Sequence, residues 1–280
     1  MSEKNTIAEK MQVNKTLRLT ETAVMIAAAA VLSLIKIVDM PFGGSVTLFS
    51  MLPIAIISYR YGVPWGLLTG LVNALMQMLF GLKNLTYATS TAALIAIIML
   101  DYIVAFVVIG LAGMFRGKIR DHGTALAFGT VIACILRYIC HVISGCTVWA
   151  GVSIPTSDGL IYSLAYNATY MIPETIVTVV GAFFVANILT LTKTEIKRVP
   201  FKEGAALKLY TALPISVGIV ICFAMICGMM QGESGFDITA LASSDVWDWI
   251  TICTVLVVAA ISSVIVYVFM NYIKKNADSK

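Results

Sequence analysis

Charge is scarce in this sequence: Asp, Glu, Lys and Arg make up only 12% of its 280 residues. Soluble globular proteins carry about twice that share. The scarcity leaves no room for a soluble catalytic domain. No GxxxxGK[ST] phosphate loop occurs, so the chain does not itself hydrolyse ATP, and no HExxH zinc motif occurs. Cysteine is present without pattern. Cys134, Cys140, Cys146, Cys222, Cys227 and Cys253 all fall in apolar segments and none forms a CxxC pair, so they read as small buried hydrophobes, with no metal or cofactor implied. The net charge of +4 comes from loops and implies no nucleic-acid partner. No small-residue cleavage site follows the first apolar run in the expected pattern. Residues 1–19 therefore read as a short cytoplasmic tail and not as a signal peptide.

What is present is apolar: 59% of residues are hydrophobic and the mean hydropathy is +0.92. The apolar runs are near 20 residues long and not alternating ten-residue strands, which makes the chain an all-α integral membrane protein. Eight spans are expected, at about 20–38, 45–60, 64–82, 90–114, 123–150, 159–191, 208–230 and 247–273. The second is short and holds Pro53, read as a kink or a departure from the bilayer normal. The sixth exceeds a bilayer of about 30 Å at 1.5 Å per residue, so its inner end should project or bend, with Pro173 as a kink. The implied organisation is a tail at 1–19, a six-helix membrane domain at 20–192, a basic cytoplasmic linker at 193–207, a further hairpin at 208–273 and a tail at 274–280.

Basic residues set the orientation. The N-terminal tail, Arg60, the Arg116–Arg120 loop, the Lys193–Lys208 loop and the last residues hold 16 of the 19 lysines and arginines and fall on one side. By the positive-inside rule both termini are cytoplasmic, in agreement with an even number of spans. Trp149, Trp247 and Trp249 land at the outer boundary.

Against this apolar background the polar residues inside spans stand out. The fifth span carries Arg137, His141 and Ser144 at i, i+4 and i+7, hence on one helix face, with Trp149 about a turn above. An arginine at a membrane helix centre costs roughly 2.5–3.5 kcal/mol on insertion scales, so this face should look into a polar cavity and not into lipid. Asp101, next to Tyr102, lies mid-membrane on the fourth span. It reads equally as an ion-pair partner of Arg137 and as a counter-charge for a cationic ligand. Tyr162, Tyr166 and Tyr170 repeat at i, i+4 and i+8 on the sixth span, either as interfacial anchors or, with the deeper Asn167, as a pocket lining. Glu174 beside Pro173 is a ligand contact, a salt-bridge partner or a protonated core group. Asn73 and Gln77 share a face of the third span and read as interhelical hydrogen-bonding groups.

Small residues mark close approaches. Gly66/Gly70 and Gly113/Gly117 form GxxxG pairs, and Ala23, Ala27 and Ala30 line one face of the first helix. Such faces serve internal packing or the docking of a partner helix.

Rise per residue puts Asp101 roughly 16 Å, Arg137 about 18 Å, and His141 and Asn167 each about 12 Å below the outer ends of their helices. Tyr162 and Trp149 lie above them. The sum is a cup open to the outside, with charged and amide groups at the bottom and aromatic faces at the rim. It suits a flat, partly cationic heteroaromatic ligand, since aromatic faces attract cations by about 0.5–2 kcal/mol each.

These residues carry a resemblance. Met40-Pro-Phe-Gly-Gly-Ser-Val-Thr-Leu-Phe-Ser-Met-Leu-Pro53, Trp65-Gly-Leu-Leu-Thr-Gly70, Leu100-Asp-Tyr102, Arg137-Tyr-Ile-Cys-His141-Val-Ile-Ser-Gly145 and Tyr162-Ser-Leu-Ala-Tyr-Asn167 are similar, in order, to motifs of the thiamine-binding S components of energy-coupling-factor (ECF) vitamin transporters. The resemblance covers about residues 15–195. It implies a six-helix substrate-capture subunit of a prokaryotic cell membrane that is not an enzyme. Such a subunit takes thiamine from outside and delivers it through a transmembrane coupling protein and two ATP-binding subunits. By the same resemblance Asp101, Tyr102, Arg137, His141, Trp149, Tyr162 and Asn167 contact the ligand, and Ala23 and Ala27 meet the coupling protein; Tyr166 and Glu174, by their place on the sixth span, are candidate secondary contacts. Phe42 stands near the place where some relatives carry a tryptophan lid. The hairpin at 208–273 matches nothing in the resemblance.

Three rival readings stand beside this one: an S component for another vitamin or heterocyclic cation; a stand-alone proton-coupled transporter with Asp101 and Glu174 as relay; and an intramembrane enzyme using Ser144 and His141.

Overall fold

The computed structural model describes residues 15–40, 43–88, 90–146, 157–200, 203–232 and 235–277. Phe42 and Trp149 lie outside the described residues. The chain runs through α1 (Lys15–Leu34), a two-stranded antiparallel hairpin of β1 (Lys36–Asp39) and β2 (Ser45–Thr47), α2 (Leu52–Tyr61) and α3 (Val63–Phe80). A 3-10 turn (Leu82–Tyr87) leads to α4 (Thr91–Leu111), α5 (His122–Ser144) and α6 (Ser157–Ile188). A hairpin of β3 (Leu189–Leu191) and β4 (Ile196–Arg198) then precedes α7 (Glu203–Met229). The short strands β5 (Gln231–Gly232) and β6 (Gly235–Phe236) and a 3-10 turn (Ile238–Ser243) connect to α8 (Val246–Ala277).

Among the described residues seven helices are long and apolar enough to cross a membrane, and α2 is not one of them. The expected second span at 45–60 is thus corrected. α2 has ten residues, about 15 Å of rise, half a bilayer. All ten are buried by protein, which explains their apolar composition without lipid contact. The rest of this pass is made by β2 and residues 48–51. Non-helical backbone at such depth is tolerated only where protein or a cavity surrounds it. Pro53 does not kink a helix; it sits in the first turn of α2, where its missing N–H leaves no intrahelical bond unmade. Phe49, just upstream, has φ of 61°, a sparsely populated conformation for a side-chain-bearing residue.

Other boundaries shift as well. α1 stops at Leu34 and not at 38, because Lys36–Asp39 pair with β2. The expected linker at 193–207 contains β4 and the first turns of α7. α6 is 32 residues long with Pro173 inside, as its length required.

Close backbone approach holds the centre. A Cβ on Gly66 of α3 would lie 2.5 Å from the Ser58 Cβ and 2.6 Å from the Gly110 carbonyl oxygen, and one on Gly70 would lie 2.9 Å from the Phe106 carbonyl oxygen. Gly66 and Gly70 thus pack α3 onto α4 within the bundle. Ser58 adds polar closure: its hydroxyl donates to the Gly110 carbonyl and accepts the Gly113 N–H.

One end of the bundle is closed by charge. Arg60, 1% exposed, pairs with Glu21 at 2.7 Å, and its Nε donates to the Thr192 carbonyl. The Tyr61 hydroxyl donates to Glu21, Arg18 lies over the Trp65 ring, and Arg116 donates to the Tyr59 carbonyl. These contacts tie α1, α2, α3, the loop after α4 and the segment after α6. At the same end the Tyr59 hydroxyl meets His122 Nδ1 at the start of α5.

α7 packs on α6, and α8 packs on α7. α8 exposes Val257, Val258, Val264, Val268 and Phe269, a surface suited to lipid.

Gly66→Val is expected to lower stability by about 1–3 kcal/mol through overpacking. Gly204→Ala, where an added Cβ meets nothing within 4 Å, should be neutral or mildly stabilising. Thermal unfolding of both variants in detergent checks the difference.

Candidate ligand site

At the end opposite the Arg60–Glu21 pair, a cavity of about 880 Å³ opens between α1, the β1–β2 hairpin and α3–α6. Its deep end is bounded by Arg137 and Glu174, its lip by the exposed Lys36–Asp39 pair and Lys83. Asp101, Tyr102, Arg137, His141, Tyr162, Tyr166, Asn167 and Glu174 all line it. Helix faces that were separate in the sequence therefore meet in one space. Trp149 and Phe42 fall outside the described residues.

A continuous polar chain runs along the cavity floor. Asp101 sits in a π-helical turn of α4 (Ile97–Val104); such turns inside α-helices are frequent at functional sites. Its Oδ1 meets His141 Nδ1 at 2.9 Å, and its Oδ2 accepts from the Ser144 hydroxyl at 2.6 Å. On the other side of the ring, Arg137 Nε donates to His141 Nε2 at 3.3 Å. A guanidinium N–H can only donate, so Nε2 is the acceptor and Nδ1 carries the proton toward Asp101.

Arg137 finds its ion-pair partner in Glu174. Its Nη1 faces Glu174 Oε2 at 3.3 Å and the Met51 sulfur at 2.8 Å, and its guanidinium lies 4.4 Å from the centre of the Phe106 ring. Glu174 makes the salt bridge that was one of its three readings, and it also lines the cavity. Glu174 is 1% exposed. Its Oε1 also accepts from the Thr47 hydroxyl at 2.6 Å and from Ser50 at 3.4 Å. The chain therefore extends from α4 through α5 and α6 to the segment between β2 and α2. The i, i+4 spacing brings Arg137 to His141, and the i, i+3 spacing brings His141 near Ser144; the partners across the cavity were not deducible from spacing.

The α6 wall is built differently. The Asn167 amide donates to the Ser163 carbonyl at 2.8 Å and to the His141 carbonyl at 3.3 Å, while its Oδ1 accepts from the Tyr170 hydroxyl at 2.6 Å. Asn167 thus links α6 to α5 and orients Tyr170. Tyr162 and Tyr166 stand parallel, ring planes 3° apart and centroids 6.2 Å apart. On the opposite wall, the Tyr102 hydroxyl donates to the Gly81 carbonyl and accepts from Asn84.

Residue reasoning missed Thr47, Ser50, Met51 and Asn84. Thr47, Ser50 and Met51 lie inside the quoted Met40–Pro53 motif, which was the available signal; Asn84 had none. Asn73 also departs from expectation: it is 1% exposed and its Oδ1 meets no donor among the described residues, while Gln77 faces the cavity.

Comparison with known proteins comes to the same region. The thiamine transporter protein family (Thia_YuaJ) matches residues 19–196. The thiamine transporter ThiT of Bacillus subtilis (strain 168) is 40% identical over 177 residues, which cover 59% of this chain and 88% of that protein. A solved structure of ThiT from Listeria monocytogenes is 23% identical and aligns with 61% of this chain and 92% of its own, at a TM-score of 0.45.

Removing one member of the buried Arg137–Glu174 pair is expected to cost about 3–5 kcal/mol, because the other charge is left uncompensated. Arg137→Met should therefore be far more damaging in ligand-free protein than Arg137→Met combined with Glu174→Gln. A double-mutant cycle on the unfolding midpoint measures this coupling; strict additivity would contradict it.

Proposed function

The chain belongs to the thiamine transporter protein family, and from that premise we propose that it captures thiamine in the cavity described above and passes it on as the S component of an ECF-type transporter. The observation that carries the proposal is the convergence of polar and aromatic side chains from three helices on one cavity: Asp101 and Tyr102 of α4, Arg137 and His141 of α5, and Tyr162 and Asn167 of α6. Thiamine joins one permanently cationic thiazolium ring to an aminopyrimidine, and a carboxylate, an imidazole, an amide and aromatic faces suit both rings. A cavity of about 880 Å³ lies within the usual range for small-molecule sites, about 300–1,000 Å³.

In this reading Asp101 meets the ligand's positive charge or its aminopyrimidine. His141 and Asn167 make polar contacts to the rings, and Tyr102 and Tyr162 supply flanking aromatic walls. Trp149 stacks on a ring. Arg137 acts from behind: it holds His141 in the tautomer that serves Asp101.

Two rival readings lose support on the same geometry. A proton relay from Asp101 to Glu174 would pass through Arg137, which does not deprotonate in proteins. A serine nucleophile needs a base, and Ser144 donates to Asp101 while both nitrogens of His141 are engaged elsewhere.

Delivery needs partners. Ala23 and Ala27 lie on the exposed face of α1, whereas Ala29 and Ala30 turn into the bundle. The exposed pair forms a flat strip on which a helix of a coupling protein fits, with two ATP-binding subunits supplying energy. The basic residues concentrate at the Arg60 end, which supports cytoplasmic termini, and the half-helix pass through α2 keeps the number of crossings at eight.

Purified protein should bind thiamine without ATP at nanomolar Kd, about 12 kcal/mol, in a calorimetric titration. Asp101→Asn and His141→Ala should each weaken binding at least about tenfold, or 1.4 kcal/mol; absence of thiamine binding by the unaltered protein would end the proposal. Ala27→Trp should leave binding intact and abolish ATP-driven uptake in cells; undiminished uptake would remove the α1 strip from the partner interface.

A further inference from the structure

Residues beyond 196 lie outside the family match, yet α7 is not a loose appendage. Pro173 has no N–H, so the Thr169 carbonyl, four residues earlier in α6, loses its helical donor. The Cys227 thiol of α7 stands 3.7 Å from that oxygen and donates to it. Around this point Met40, Val46, Tyr166, Met171, Cys227 and Met230 form one continuous buried cluster. Val38 of β1 and Leu241 of the turn before α8 pack against it. Met40 and Tyr166 also line the cavity, so the cluster is the back of the cavity wall. The lip rests on that wall: a Cβ on Gly44 would lie 2.6 Å from the Tyr170 ring.

We infer that the α7–α8 hairpin clamps the β1–β2 lip to the tyrosine wall of α6 and thereby sets how slowly the bound ligand leaves. Cys227, Met230 and Leu241 are positioning residues; none of them lines the cavity. The inference rests on the reading of the cavity as the thiamine site. For ligand to leave at the open end, the lip must part from its surroundings. The cluster buries Met40 and Val46 to 4% and 1% exposure, so parting at α6 exposes apolar surface that is otherwise buried in the cluster to which Cys227 and Met230 of α7 belong. Related effects on binding are expressed mainly in dissociation.

The full-length protein is tested in detergent with labelled thiamine. Met230→Ala and Cys227→Val should speed dissociation about tenfold while association stays within about twofold. Cys227→Ser, which restores a donor to the Thr169 carbonyl, should dissociate like the unaltered protein. Amide hydrogen exchange of residues 36–47, measured without ligand, should rise in Met230→Ala and Cys227→Val but not in Cys227→Ser. Unaltered dissociation and exchange in both variants would overturn the clamp, as would equal damage by Cys227→Ser and Cys227→Val. If the unaltered protein bound no thiamine, the functional reading would fall on its own, and the exchange experiment would still decide whether the hairpin holds the lip.

Discussion

A buried guanidinium between two carboxylate systems is the constraint on which the rest of this molecule depends. Arg137 cannot shed its charge, and lipid cannot solvate it. It is stabilised by Glu174 at 3.3 Å, by the Met51 sulfur and by the face of Phe106. Each partner comes from a different part of the chain, so satisfying one charge brings the segment before α2 together with α4, α5 and α6. Glu174 in turn reaches Thr47 and Ser50, which draws the segment after β2 deep into the bundle.

The same chain of contacts links architecture to chemistry. Arg137 Nε fixes the acceptor side of His141, and the opposite nitrogen therefore faces Asp101. A group that bears on folding thus also orients the ring that faces Asp101. Arg137 thus bears on Asp101 through a histidine. Tight packing elsewhere keeps this geometry rigid. The glycines of α3 allow backbone contact with α4, the helix whose π turn presents Asp101.

The two added helices show how a domain boundary differs from a mechanical boundary. The family match ends at residue 196, but a proline in α6 leaves a carbonyl that α7 meets with a thiol. Met230 and Leu241 fill the space behind the tyrosine wall. α8, by contrast, packs on α7 and presents apolar side chains outward.

The membrane class, most helix positions and the polar faces were legible in one dimension. Apolar runs near 20 residues and charges inside them have one physical explanation each, burial in lipid and a protein-lined cavity. Spacing also placed Arg137, His141 and Ser144 on one face, because helical periodicity is local. The second span was misread because Leu52–Tyr61 is apolar for a different reason: protein and not lipid surrounds it, and composition does not distinguish the two. The partners of the buried charges were illegible as well. Asp101 lies 36 residues before Arg137, and Glu174 lies 37 after it; which carboxylate met the guanidinium depended on how α4, α5 and α6 pack. The sequence by itself determined that this protein spans a membrane and hides charge within it. Only the tertiary structure decided which charges face each other, because that pairing is set by distances across helices and not by intervals along one.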